Sequence, residues 1–367
     1  MQQEVIVTTA VRDELGRILA RHDVQKLLLV VDAAFPLLET REEYLDLPLP
    51  CAIFDAFTSN PLYEDVVAGV SCFRRQHCDA ILAVGGGSAI DVAKCIKLYS
   101  GLDETRLYLD QEYRANDILL IAIPTTSGTG SESTRYAVIY HEGKKQSVTH
   151  GSIVPRYALL DPRNLVTLPL YQKKCTMLDA LCQSIESWWS IHSTEASRAY
   201  ARQALTLILA GMDDYLQNRD SGNLNMLRAA NLAGRAINLT QTTAAHAMSY
   251  QITSLYGVPH GRAAFICLPF VWEYMWSCVA EDDGAGALRE LFSDIAHALG
   301  HGDVAGAIRF LHALDGRLFA EDRLHFDAGD IPQLVASVNP TRLSNNPIAL
   351  PEEVLTELYR AIVRKYS

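Results

Sequence analysis

The sequence has no long stretch rich in Lys and Arg, and the chain carries a formal net charge of -11. Nucleic-acid surfaces need clustered basic residues that displace counterions from phosphates, so this absence argues against a nucleic-acid partner. No apolar run reaches the roughly 18 residues that span a bilayer, and residues 1–9 lack the basic start and apolar stretch of a secretion signal. We therefore expect a cytoplasmic protein that acts on a small molecule and not at a membrane.

Paired cysteines, repeats and low-complexity segments are missing as well. The eight cysteines form no CxxC pair and no regular framework, which favours reduced thiols over a disulfide scaffold. The chain is 367 residues long, and a length prior of about 150 residues per domain indicates two domains.

The first part of the chain alternates short apolar runs with helical patterns. The runs are KLLLVVD at residues 26–32, AILAV at 80–84 and ILLIAI at 118–123, and such runs are typical of strands buried on both faces of a parallel sheet. Helical spacing lies between them at residues 63–76 and 89–98. The alternation predicts a doubly wound α/β domain.

Beyond residue 164 the pattern becomes mainly helical. Helical spacing with few β-branched runs occupies residues 170–191, 194–217, 223–239 and 242–255. We therefore predict an α/β domain over residues 1–164 and an all-α domain over residues 165–367, with the ligand between the two halves.

A glycine-rich turn follows the second apolar run, directly before a predicted helix. Glycine lets the backbone approach a ligand closely, and the helix start offers free N–H groups to a pyrophosphate. The turn follows neither the GxGxxG nor the Walker pattern, so a plain strand-to-helix turn is the alternative. Its residues are Gly85, Gly86, Gly87 and Ser88.

A loop rich in hydroxyl groups, PTTSGTGSE at residues 124–132, follows the third apolar run. Its Thr and Ser side chains could bond a phosphate, a ribose or a nicotinamide amide, and a polar surface loop is the alternative. Two such loops after adjacent strands favour a ligand site at the carboxyl ends of the strands. The candidate residues are Thr125, Thr126, Ser127 and Thr129.

Asp32 closes the first apolar run. A carboxylate at this position could accept hydrogen bonds from an adenosine ribose, which favours NAD over NADP, although an acid that ends a strand is often only a turn residue.

The helical part contains a scattered group of polar residues that could bind a metal. Asp179 and Gln183 lie four residues apart on one helix face, while His246 lies in another helix and His260 follows in VPHG. Carboxylate, amide oxygen and imidazole can together hold a divalent metal that polarises a carbonyl. The alternative is a set of buried side chains satisfied by hydrogen bonds.

Four motifs in this order resemble the iron-containing (group III) alcohol dehydrogenases: GGGSAIDVAK at residues 85–94, PTTSGTGSE at 124–132, MLDAL at 177–181 and VPHG at 258–261. The resemblance implies their fold, also called dehydroquinate synthase-like: an α/β dinucleotide-binding domain followed by an all-α domain. It also implies NAD(P), with Asp91 among the cofactor-binding residues, and Fe(II) or Zn(II) in the cleft.

The family ligands are one Asp and three His, and this chain departs from that set. Asp179, His246 and His260 match, but Gln183 stands where a histidine is expected, and Tyr250 replaces a further cleft histidine. An amide oxygen is a weaker ligand than imidazole, so we expect a loosely bound metal, with Gln183 as a weak ligand or bonded to water on the metal.

The sequence segments expected around the cleft, such as KKQSVTHGSIVP and INLTQTTAAHAMSY, resemble those of a subgroup assigned as phosphonoacetaldehyde reductases. That resemblance implies reduction of phosphonoacetaldehyde to 2-hydroxyethylphosphonate. A phosphonate dianion needs cationic partners, although any one of the candidates is as readily a solvated surface charge. The candidates are Lys144, Lys145, His150, Arg235 and Arg262, of which Lys145, His150 and Arg262 are preferred.

The expected mechanism is hydride transfer to a carbonyl polarised by a metal on Asp179, His246 and His260, with Tyr250 as one candidate proton donor. Without a metal, Gln183 and the two histidines could hydrogen-bond the carbonyl directly. A general aldehyde reductase, a lyase like dehydroquinate synthase and a non-catalytic cofactor-binding protein are the alternatives. The resemblance also favours a homodimer or larger homo-oligomer.

Overall fold

A computed structural model describes residues 3–280 and 282–366. The chain forms two compact units. The first contains the described residues up to Pro169 together with Asp213–Gly234, and the second contains Leu170–Met212 and the described residues from Arg235 onward. A segment from within the helical part of the chain thus belongs to the first unit. The predicted domain boundary between residues 164 and 165 stays a prediction.

The first unit is built on parallel strands, as the apolar runs predict. Its strands are β1 (Glu4–Val7), β2 (Leu27–Val31), β3 (Cys51–Phe54), β4 (Ala80–Gly85), β5 (Leu119–Pro124), β6 (Tyr136–His141), β7 (Lys144–Thr149) and β8 (Tyr157–Leu160). Its helices before Pro169 are α1 (Val11–Arg21), α2 (Arg41–Leu45), α3 (Tyr63–Arg75) and α4 (Gly87–Tyr99). Within the described residues, the main sheet has the order β1-β8-β5-β4-β2-β3, and every pairing in it is parallel.

The central strands are buried because their apolar side chains alternate between two cores. Leu28 and Val30 of β2 pack in the core that includes α3 and α4. Leu27, Leu29 and Val31 pack on the opposite face, in the core that includes α1. A continuous apolar run is what a strand covered on both faces requires.

An antiparallel hairpin of β6 and β7 follows the hydroxyl-rich loop, and the sequence pattern did not predict this hairpin. Only alternate residues of β6 are buried, and β7 is mostly exposed. A strand with one solvated face carries no continuous apolar run, so the criterion that found the central strands did not find this pair.

The rest of the chain is helical, as predicted. Its helices are α5 (Leu170–Trp189), α6 (Glu195–Leu216), α7 (Asp220–Thr240), α8 (Ala244–Tyr256), α9 (His260–Val279), α10 (Gly286–Ala298), α11 (Val304–Leu318), α12 (Ile331–Ala336), α13 (Pro340–Leu343) and α14 (Glu352–Tyr366). Helices α5 to α8 match the four predicted segments closely. Among the described residues, no helix combines the length and the apolar character needed to cross a membrane.

Candidate functional site

The carboxyl ends of β2, β4 and β5 lie side by side, because these strands are neighbours in the sheet. The Gly86 N–H donates to Asp32 Oδ2 at 2.8 Å, and the Thr125 N–H donates to the Gly85 carbonyl at 3.0 Å. The three loops predicted to bind the cofactor therefore meet at one edge of the sheet. Ligands of open parallel sheets bind at this edge.

The glycine turn leads straight into the N-terminus of α4. A Cβ on Gly85 would lie 2.6 Å from Asp32 Oδ2, so the turn has no room for a side chain there. Gly86, Gly87 and Ser88 are partly exposed. Because the Ser88 hydroxyl donates to a backbone carbonyl at 2.5 Å, the free N–H groups of the helix start are the groups that can bind a pyrophosphate.

The hydroxyl-rich loop divides into exposed and buried side chains. Thr126 and Thr129 are partly exposed, whereas Thr125 and Ser127 are buried. The Ser127 hydroxyl lies 2.6 Å from the Tyr215 hydroxyl, so it bonds the protein itself. Thr126 and Thr129 are therefore the hydroxyls best placed to contact a bound nucleotide.

Asp91 stabilises the hydroxyl-rich loop from α4. Its carboxylate accepts hydrogen bonds from the Ser131 hydroxyl at 2.5 Å and from the Val138 N–H at 2.9 Å. On the same loop, Asn231 of α7 donates to Glu132 Oε1 at 3.1 Å, a contact that the sequence pattern did not predict. These bonds give Asp91 a role in shaping the loop, and its predicted contact with the cofactor stays a prediction.

In the second unit, three predicted metal ligands come together from three helices. Ligand atoms of Asp179 on α5, His246 on α8 and His260 on α9 all lie within 4.8 Å of one another. Asp179 and His246 are buried, and His260 is partly exposed. Two imidazoles with one carboxylate are the protein ligands of catalytic zinc sites that keep a position open, and the same set suits Fe(II). The donor set therefore fits a divalent metal.

The close approach of α9 to α5 brings His260 beside Asp179. A Cβ on Gly261 would lie 2.2 Å from the Cys175 carbonyl oxygen and 2.6 Å from the Asp179 Cβ. Only glycine permits this approach, which explains why the VPHG motif places a glycine directly after its histidine.

Glu186 is a member of this site that the sequence reasoning missed. It is fully buried on α5, and its Oε2 contacts His246 Nδ1. It lies seven residues after Asp179 and three after Gln183, so helical spacing alone would have placed all three on one face.

Burial and charge act in opposite directions on the pKa values of this group. Burial favours neutral forms, but the carboxylates of Glu186 and Asp179 raise the pKa of His246 to about 10. Burial likewise opposes ionisation of Asp179 and Glu186, yet contacts with His246 hold the pKa of each carboxyl below its ordinary value. Two buried carboxylates beside one imidazole favour a cation at this position, either a proton or a metal.

The two residues that depart from the family pattern both contact ligands. Burial raises the pKa of Asp179, and a hydrogen bond from Gln183 lowers it, after the larger lowering effects of His246 and His260. The Tyr250 ring stacks on the His260 ring, with centroids 5.4 Å apart and an interplanar angle of 4°. Metal ligation by Gln183 and proton donation by Tyr250 stay predictions.

The three preferred substrate cations do not all belong to the same unit. Lys145 is an exposed residue of β7, and His150 Nδ1 lies 2.7 Å from the Ser152 hydroxyl, both in the first unit. Arg262 belongs to the second unit. Its guanidinium is buried, pairs with Asp315 at 3.4 Å and with Asp322 at 2.5 Å, and lies over the Phe319 ring.

The two remaining cations that the sequence suggested also belong to different units. Lys144 is an exposed neighbour in β7, and Arg235 of the second unit lies over the Tyr200 ring. These contacts favour a structural role for Arg262, and substrate binding by Lys145, His150 and Arg262 stays a prediction.

The first unit has a parallel sheet with loops typical of nucleotide binding, and the second has an Asp/His/His group on three helices. Together these features define the class as a dehydrogenase that combines a dinucleotide with a divalent metal. The sequence profile described as iron-containing alcohol dehydrogenase matches residues 2–162, and its C-terminal counterpart matches residues 174–363. The chain belongs to the iron-containing alcohol dehydrogenase family. It is an alcohol dehydrogenase or aldehyde reductase of the nicotinamide-dependent kind, so the predicted family, fold class and enzyme class are confirmed.

Individual relatives agree with this assignment. The chain is 30% identical to a phosphonoacetaldehyde reductase of Streptomyces viridochromogenes over 319 residues, 81% of this chain and 80% of the relative. It is 33% identical to a 1,3-propanediol dehydrogenase of Klebsiella pneumoniae over 296 residues, 77% and 71% of the two chains. The structure of a sulfoacetaldehyde reductase from Bifidobacterium kashiwanohense in complex with NAD+ superposes with a TM-score of 0.88 at 25% identity, covering 99% of both chains.

Proposed function

We propose that the protein reduces phosphonoacetaldehyde to 2-hydroxyethylphosphonate with NADH, using a divalent metal on Asp179, His246 and His260. The observation that carries the reaction type is the convergence of these three ligand atoms within 4.8 Å. Support for the substrate comes from two relatives, a phosphonoacetaldehyde reductase and a sulfoacetaldehyde reductase, whose named substrates are both two-carbon aldehydes with an acidic group. A cytoplasmic location and a homo-oligomeric state belong to the same proposal.

Each part of the chain has a defined task in this reaction. The N-terminus of α4 binds the pyrophosphate, and Thr126 and Thr129 contact the nucleotide. NADH supplies the hydride. A divalent metal held by Asp179, His246 and His260 would supply a Lewis acid, which would stabilise negative charge on the carbonyl oxygen more in the transition state than in the ground state. Tyr250 lies against His260, where its hydroxyl is a candidate proton donor to the product alkoxide.

The substrate proposal predicts a strong preference for phosphonoacetaldehyde over propanal. We expect a kcat/KM ratio on the order of 10² or more, because a site that pairs a charged group discriminates against an analogue lacking it. The measurement is NADH oxidation by each aldehyde, in anaerobic protein supplied with Fe(II) or Zn(II). Equal kcat/KM values for the two aldehydes would indicate a general aldehyde reductase. No net consumption of NADH or NADPH would instead support the lyase and non-catalytic alternatives.

A second prediction concerns the cofactor. We expect Asp32→Gly to reduce the preference for NADH over NADPH by roughly tenfold, since the carboxylate that can accept bonds from the ribose also repels a 2′-phosphate. The measurement is kcat/KM for both cofactors, with the exposed residue of α1 in Asp13→Gly as the matched control. Because Asp32 also accepts the Gly86 N–H, we expect the KM for NADH to rise. An unchanged cofactor ratio would make Asp32 only a turn residue.

A further inference from the structure

Glu186 bonds two different parts of the second unit through its two carboxylate oxygens. Oε1 accepts hydrogen bonds from the Thr243 N–H at 3.0 Å, the Thr243 hydroxyl at 2.9 Å and the His246 N–H at 3.2 Å. Oε2 contacts His246 Nδ1. The side chain is fully buried, so neither oxygen is exposed to solvent.

The bonds to Oε1 fix the N-terminus of α8. Thr243 is the N-cap residue, but its own side chain makes no capping hydrogen bond. The Glu186 carboxylate takes that place from α5 and puts a negative charge at the positive end of the helix. Glu186 therefore sets where α8 begins, and with it the position of the His246 backbone.

The contact with Oε2 fixes the ring of His246. An ionised carboxylate can only accept a hydrogen bond, so Nδ1 must carry the proton. The other nitrogen, Nε2, lies 3.2 Å from Asp179 Oδ1, among the candidate ligand atoms. Histidines that bind metals commonly donate their second N–H to a carboxylate, which sets both the tautomer and the ring orientation.

We propose that Glu186 is the positioning residue that holds the Nδ1–H form of His246 and so directs Nε2 to a divalent cation. The inference rests on the metal site of the proposed function. A purely structural cap would use Oε1 alone, whereas Glu186 divides its contacts between the helix terminus and the imidazole.

The test is Glu186→Gln, which keeps the size and shape of the side chain. Its amide oxygen can still accept the three bonds at the start of α8, and its NH₂ group then faces His246 Nδ1. The reverse orientation points NH₂ at the N–H groups of Thr243 and His246, so it is disfavoured. The variant therefore makes Nδ1 an acceptor and confines the remaining ring proton to Nε2, where it competes with a metal.

Two readouts follow from this change. We expect the Kd for Zn(II), measured by competition with a chromophoric chelator, to rise about 10- to 100-fold. In nitrogen-15 histidine spectra of the metal-free proteins, we expect His246 Nδ1 to be protonated in the wild type and unprotonated in the variant, with the signal assigned from His246→Gln. The exposed Glu290→Gln on α10 is the matched control.

The outcomes separate the inference from the proposed function. If the wild type binds Zn(II) and the Glu186→Gln variant binds it with the same Kd, the positioning role alone is overturned. A fall in affinity with an unchanged Nδ1 signal and a lower melting temperature of the metal-free protein assigns Glu186 to the helix cap and also overturns it. A wild type that fails to bind Zn(II) refutes the metal site itself, and the inference with it.

Discussion

Asp179→Ala should abolish metal binding and reduce kcat on the order of 10²- to 10³-fold, the range seen when one stabilising group for a developing oxyanion is removed. Asp179 supplies the carboxylate of the candidate ligand set Asp179, His246 and His260, so its loss leaves only two imidazole ligands in that set. It also removes the contact between Asp179 Oδ1 and His246 Nε2, which lie 3.2 Å apart. Elemental analysis of the purified protein and NADH oxidation with phosphonoacetaldehyde measure the two effects.

Asp294→Ala provides the control, because that aspartate is an exposed residue of α10 in the same unit. Loss of both metal and turnover in Asp179→Ala alone supports Lewis-acid catalysis. If Asp179→Ala is metal-free and nearly as active as the wild type, the reaction does not use the metal, and direct hydrogen bonds from Gln183 and the histidines become the better account.

Gly261→Ala should disrupt the same site without changing any polar atom. The added Cβ would lie 2.2 Å from the Cys175 carbonyl oxygen, which belongs to the backbone and cannot rotate away. Helix α9 must therefore shift from α5 and carry His260 with it. We expect a loss of about 1–3 kcal/mol in the free energy of unfolding, as for overpacked cores. Because small misplacements of catalytic groups are costly, we also expect kcat to fall roughly 10²-fold.

Gly316→Ala on α11 is the matched control, since a Cβ there would meet no atom within 4 Å. That substitution should stabilise the protein by about 0.4–1 kcal/mol by reducing the freedom of the unfolded chain. Chemical denaturation of the metal-free proteins, with Zn(II) titrations in parallel, compares the two. Wild-type stability and zinc affinity in Gly261→Ala would show that the close approach of α9 to α5 is not needed.

The sequence predicted the strands that are both fully buried and longer than four residues. Strands β2, β4 and β5 are covered on both faces, so each appears as an uninterrupted apolar run. The edge strands β1 and β3 are short and partly exposed, and β8 was also missed although all its residues are buried. Four residues are too few for a period to be distinguished.

The site was predictable to the extent that motifs encode it. Spacing placed the loops after β2, β4 and β5, but the ligand set Asp179, His246 and His260 depended on the family resemblance, because the residues lie far apart in the chain. The partners of individual side chains could not be predicted from the sequence. Arg262, a candidate for binding the phosphonate, pairs with Asp315 and Asp322, and no local pattern specifies these partners.

The return of Asp213–Gly234 to the first unit has a practical consequence for dissecting the protein. Tyr215 and Asn231, which bond Ser127 and Glu132, come from this returning segment. A fragment that stops at Pro169 would keep every glycine and hydroxyl of the nucleotide loops but leave these partners behind. The nucleotide affinity of such a fragment would be that of a loop without these two hydrogen-bond partners. A fragment meant to reproduce the nucleotide site would therefore need residues 213–234 joined to it through a designed linker.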